Sequence, residues 1–180
     1  MIVCSMPRCG ATRFCLDLED KTGLKFVGEL HPLHIVDKRK AEVHETMYQP
    51  SLSPDDFSEY LHNNSKYIVL VNRASFYMLP YCDILILRKN MLNSFLSGAN
   101  FLLKMYPNMK ANIIIHELRN SITEYVGLKS YIDRNPIHIV WYEDYFGIEQ
   151  TNLTTLDQHI HGQKIKDEIV RIYYELTGGN

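Results

Sequence analysis

The chain has 180 residues, 46% hydrophobic and 22% charged, which is enough apolar material for one domain to bury a core without metals or disulfides. Its formal net charge of −2 excludes the global basic field that drives nonspecific binding to nucleic acid or anionic membrane, so an anionic ligand requires a local basic cluster. No basic segment runs into an apolar stretch with a small-residue cleavage site, and no stretch approaches the roughly 20 apolar residues of a membrane span. The expectation is one cytoplasmic domain over residues 1–180, with neither nucleic acid nor membrane as partner. Cysteines at 4, 9, 15 and 82 form no Cys-x-x-Cys pair, which reads as reduced, packed thiols.

In chain order, the apolar run over residues 2–6 stops at Pro7, the pattern of a buried strand emptying into a loop. Ala11, Phe14, Cys15 and Leu18 follow at helical spacing, with a stop at Thr22-Gly23. Residues 24–27 predict a second strand leading into Gly28-Glu29-Leu30-His31-Pro32, after which the sequence through Pro54 has little periodicity. Residues 67–71 and 83–87 are continuous apolar runs, as in strands covered on both faces of a parallel sheet. Leu92, Phe95, Leu96, Ala99, Leu102 and Leu103 predict a helix, with Asn90 near its start and Pro107 beyond its end. A helix over about 111–133, a strand over 137–141 and a helix over 164–176 complete the chain. This alternation predicts an α/β fold, a three-layer sandwich with a central, mostly parallel sheet.

The first strand, loop and helix carry the most chemistry. A helix amino terminus gathers unpaired backbone N–H groups and positive potential, so an anion is stabilised there. Gly10 permits close approach, Thr12 adds a hydroxyl donor, and Arg8 adds a permanent charge able to fork across phosphate or sulfate oxygens. Arg13 is either a second phosphate contact or a solvated helix residue. The triphosphate loop G-x-x-x-x-G-K-[ST] does not fit, because its first glycine and its lysine are missing. A cysteine-phosphatase loop fails too, since neither Cys4 nor Cys9 has an arginine six positions later.

Pro7-Arg8-Cys9-Gly10-Ala11-Thr12 resembles the 5′-phosphosulfate loop of the sulfotransferases that use 3′-phosphoadenosine 5′-phosphosulfate. Cys9 and Ala11 stand where that family usually has hydroxyl residues. The resemblance implies a P-loop nucleotide-hydrolase-like fold, with the 5′-phosphate bound by the segment from Cys9 to Arg13, chiefly Gly10 and Thr12, and Arg8 stabilising the sulfuryl group in transfer. Residues 83–97 resemble the family's 3′-phosphate segment: Lys89 aligns with the usual arginine, Ser97, eight positions later, with the usual serine, and Arg88 with a position that is often basic. Independently of the family, cations at a strand's carboxyl end lie where α/β sheets bind ligands. Val140-Trp141-Tyr142-Glu143-Asp144-Tyr145 is similar to a Tyr-Glu-Asp segment of bacterial and carbohydrate sulfotransferases and is read mainly as structural. The family's carboxyl-terminal Arg-Lys-Gly clamp is absent, Gly162-Gln163-Lys164 being a loose substitute.

Sulfuryl transfer needs an in-line acceptor, a base for its proton and cations near the leaving phosphate, and no metal. Glu29 stands after the predicted second strand, roughly where related enzymes carry a basic carboxylate, and is the favoured base. His31 competes, because imidazole titrates near neutrality. His31-x-x-His34 with His44 is an incomplete metal set, and His159-x-His161 reads as a polar loop pair. A small-molecule or carbohydrate acceptor is expected against residues 33–62 and 73–77, with adenosine 3′,5′-bisphosphate as the other product. The alternatives are a P-loop kinase-like phosphotransferase and a nucleotide-binding module without catalysis.

Overall fold

The continuous apolar runs become strands of one sheet in the computed structural model, which describes residues 1–31, 34–35, 66–72, 79–149, 153–156, 158–159 and 161–179. The strands are β1 (Ile2–Ser5), β2 (Lys25–His31), β3 (His34–Ile35), β4 (Tyr67–Asn72), β5 (Ile84–Leu87) and β6 (Ile139–Trp141), ordered β3-β2-β4-β1-β5-β6. The five strands β2, β4, β1, β5 and β6 are mutually parallel, and only the two-residue β3 runs antiparallel, against β2. The fold is therefore α/β with a parallel central sheet. Two compact units are resolved, Met1–Leu87 with Ile137–Phe146 and Arg88–Pro136 with Gly147–Asn180.

The first unit holds the sheet. All four residues of β1 are buried, as a strand flanked by β4 and β5 must be. From β1 the chain crosses to β2, returns to β4 at β1's side, and then places β5 and β6 on the opposite side. The loop after β1 thus opens where the strand order reverses, the position at which open α/β sheets bind ligands. Helix α1 (Ala11–Thr22) buries Ala11, Phe14 and Cys15 and ends at Gly23, whose left-handed conformation lets its N–H reach the Glu19 carbonyl at 2.9 Å. Glu19 also accepts from the Phe26 N–H at 3.1 Å, tying α1 to β2.

Strand β2 extends four residues past the predicted end at 27, so Gly28, Glu29, Leu30 and His31 belong to the sheet rather than to a following loop. The cause is a bulge. Phe26 pairs with Ile68 but Glu29 with Leu70, so one extra residue of β2 is absorbed next to Gly28, whose φ of 95° suits glycine. No single periodic pattern spans such a strand. Strand β6 is two residues shorter than predicted at its start, while the His138 carbonyl already accepts from Leu85 N–H at 2.8 Å.

The second unit is helical: α2 (Met91–Met105), α3 (Ala111–Ile132) and, after the five-residue α4 (Tyr142–Phe146) of the first unit, α5 (Gly162–Thr177). Asn90 caps α2 by accepting from Asn93 N–H at 3.1 Å, and Pro107 follows its last turn. Leu96, Ala99 and Leu103 of α2, Ile114, Leu118 and Ile122 of α3, and Ile165, Ile169 and Ile172 of α5 are buried at helical spacing. Phe95 lies 6.0 Å, centroid to centroid, from both Tyr125 and Tyr173. Among the described residues no helix is long and apolar enough to cross a membrane.

Candidate functional site

The turn from β1 into α1 is tight and strained. Cys9 N–H reaches back to the Met6 carbonyl at 3.4 Å, Arg8 adopts a φ of 64°, and Gly10, the N-cap of α1, a φ of 80°. A left-handed arginine is unfavourable by about 1 kcal/mol, strain of the kind that collects at functional loops. Gly10 is required for a second reason, since a Cβ there would lie 2.3 Å from the Tyr142 ring. Helix α1 has no side-chain cap and no acid in its first turn, so neither offsets the positive end of its dipole.

Of the predicted loop residues, Arg8, Thr12 and Arg13 are exposed, whereas Cys9 and Ala11 are buried. The side chains at the two positions that lack the expected hydroxyls are therefore turned away from solvent. Arg13 is exposed on the first turn of α1, as the solvated alternative expects, and it also holds aromatic partners. Its Nη1 donates to the Tyr142 hydroxyl at 3.2 Å, and its guanidinium lies 4.2 Å from the Phe146 ring centroid.

Sequence reasoning missed how far the segment after β6 braces this loop. The Tyr145 hydroxyl donates to the Asp17 carboxylate, Lys21 Nζ donates to the same hydroxyl at 3.0 Å, and Phe14 meets Tyr145 edge-on at 4.7 Å. Hydrogen bonds from Lys21 and then from Tyr145 hold the Asp17 carboxyl below the usual carboxylate range. The same bond to Asp17 pushes the Lys21 ammonium up to about 12. The sequence signals were the Tyr-Glu-Asp segment, read as structural, and the aromatic cluster Tyr142, Tyr145 and Phe146 within five residues. Glu143 of this turn is buried.

Arg88 and Lys89 directly follow β5, the first half-buried and the second exposed, and Ser97 is half-buried in α2. Ser94, one turn earlier, is fully buried. Glu29 pairs with Leu70, itself level with Val3, so its backbone lies in mid-sheet, with His31 two residues nearer the carboxyl edge. This corrects the expectation that both follow the second strand. His31 and His34 are cross-strand partners, while His44 and most of the expected acceptor surface, 36–62 and 73–77, lie outside the described residues. Among the described residues no three His, Cys, Asp or Glu side chains group to hold a metal. In comparisons with known proteins, no family model, curated protein or solved structure matches this chain.

Proposed function

We propose that this protein is a sulfotransferase that moves the sulfuryl group of 3′-phosphoadenosine 5′-phosphosulfate to a hydroxyl or amine of a small-molecule or carbohydrate acceptor. The observation that carries this reading is the strained loop from Met6 to Gly10. It opens at the reversal point of a parallel sheet, leads into an uncapped helix start, and exposes Arg8 and Thr12. Backbone N–H groups, dipole and guanidinium together suit a tetrahedral oxyanion. In this reading the fold is a P-loop-like three-layer sandwich. The loop takes the 5′-phosphosulfate, and Lys89 or Arg88 with Ser97 takes the 3′-phosphate. The acceptor oxygen attacks sulfur as the bond from sulfur to the bridging oxygen breaks, Arg8 stabilises the charge, and Glu29, or alternatively His31, takes the acceptor proton. Four reduced thiols suit the cytoplasm.

A second reading, a nucleotide-binding module without catalysis, is favoured by Cys9 and Ala11, which leave Thr12 as the one hydroxyl of the loop motif, and by the missing carboxyl-terminal clamp. A kinase-like phosphotransferase is weakened by the missing loop lysine. Calorimetry with adenosine 3′,5′-bisphosphate, ADP and ATP tests the first reading. The bisphosphate is expected to bind most tightly, and Lys89→Ala or Ser97→Ala to weaken it about tenfold while sparing ADP. A preference for ATP, or no binding of the bisphosphate, overturns the assignment. If the bisphosphate binds but no acceptor is sulfated, the module reading stands.

A further inference from the structure

The helical unit contains a cavity of about 400 Å³ whose described lining residues all belong to that unit. That volume lies in the range of small-molecule sites, roughly 300–1,000 Å³. Leu103, Met109 and Ile165 supply apolar wall, and Lys110, His159 and His161 supply basic side chains. No Asp or Glu is among the described residues that line it. We propose that this cavity binds a small molecule carrying one tetrahedral oxyanion, a phosphate or sulfate monoester, on an apolar body.

The charge comes first from the side chains. Lys110 and His161 are exposed at the rim, and His159 is half-buried with Nε2 at 3.4 Å from Asn100 Oδ1, which orients the ring. The turn bearing both histidines is held by backbone bonds from His159 N–H to the Leu156 carbonyl at 3.1 Å and from Gly162 N–H to the His159 carbonyl at 2.8 Å. A Cβ on Gly162 would lie 1.7 Å from the Leu156 oxygen, so the approach of turn and helix depends on glycine there.

The positions of two of these basic residues conflict with ordinary helix chemistry. Lys110 is the N-cap of α3 and His161 the N-cap of α5. Neither makes a capping hydrogen bond, and neither helix has an acid in its first turn. N-caps normally carry an oxygen acceptor, which neither a lysine nor a donating imidazole N–H supplies, and the Lys110 ammonium is unfavourable at the positive end of its helix dipole. Here two such ends open on one cavity that already holds His159. A bound oxyanion is favourable to the Lys110 ammonium, to imidazole N–H donors and to both helix ends together, and the apolar wall receives its carbon body.

Phosphorus NMR titration of the full chain with phenyl phosphate tests the site. Saturable broadening is expected, weaker with inorganic phosphate, and undisturbed by benzyl alcohol, which lacks the charge. Lys110→Gln is expected to weaken phenyl phosphate about tenfold, the loss of one charge-assisted contact, and the pair His159→Gln with His161→Gln, which removes two contacts, by at least about as much. The loop after β1 is also expected to take phenyl phosphate under the function proposed above, so Arg8→Ala removes that part of the binding and leaves the part lost in Lys110→Gln, which separates the cavity from the nucleotide site. Lys110 and His161 are exposed, so Lys110→Gln with His161→Gln remains decisive if the His159 variant unfolds. Absence of saturable binding, or wild-type binding in the Lys110 variant, overturns the proposal. So does loss of the Lys110-dependent binding in Arg8→Ala.

Discussion

Gly10 meets two demands that no other residue type meets, a left-handed backbone and an aromatic ring where a Cβ would stand. Gly10→Ala is expected to destabilise the protein by about 2–4 kcal/mol, about 1 from backbone strain and the rest from overpacking. In urea unfolding, Gly10→Ala with Tyr142→Ala should lose less than the sum of the single losses; full additivity would show that the ring does not press on the loop. Asn93 is a different kind of anchor. Its buried Oδ1 accepts from Thr154 N–H at 2.6 Å and from the Thr154 hydroxyl at 2.7 Å. Asn93→Ala strands both donors and is expected to cost about 2–3 kcal/mol by denaturant midpoint, whereas Asn93→Asp keeps the acceptor and suits the first turn of α2.

Helix α1 was legible because its periodicity is local: Ala11, Phe14, Cys15 and Leu18 mark one face and Gly23 the end. Its attachment was not, because Tyr142 and Tyr145 lie more than a hundred residues further along the chain. Tyr145→Phe removes the hydroxyl shared by Asp17 and Lys21 while keeping the ring on Phe14. It is expected to leave the fold intact and to speed amide exchange in the first turns of α1. Unchanged exchange would mean that ring packing alone holds the helix. Burial of Cys15 in this helix pushes its thiol up to about 12. Above pH 9.0 the unfolded chain releases that proton while the folded chain keeps it, so the unfolded state binds fewer protons and stability falls from pH 9.0 towards about 12. Cys15→Ala should flatten this decline in unfolding free energy; an unaltered slope would assign it to other groups. A hydrogen bond with Cys82, then burial, raises Cys4 well above its ordinary value in the same sense.

All four cysteines are reduced thiols, three of them buried, so reductant is expected to leave the thermal midpoint unchanged; a drop with dithiothreitol would reveal a disulfide. The alternation of apolar strands and amphipathic helices, together with the stops at Gly23 and Pro107, was enough to reach an α/β fold with a parallel sheet, because buried strands and one-faced helices write their periods into neighbouring residues. The same local logic singled out Arg8, Gly10 and Thr12 in the loop after β1, the residues proposed above to hold an anion. Three features depended on contacts between distant segments. The bulge at Gly28 drew Glu29 and His31 into the sheet, Tyr142 closed over Gly10, and the N-caps of α3 and α5 met at one cavity. Each is set by which elements pack together, and a one-dimensional pattern records a residue's period along its own element but not the neighbour that element will meet.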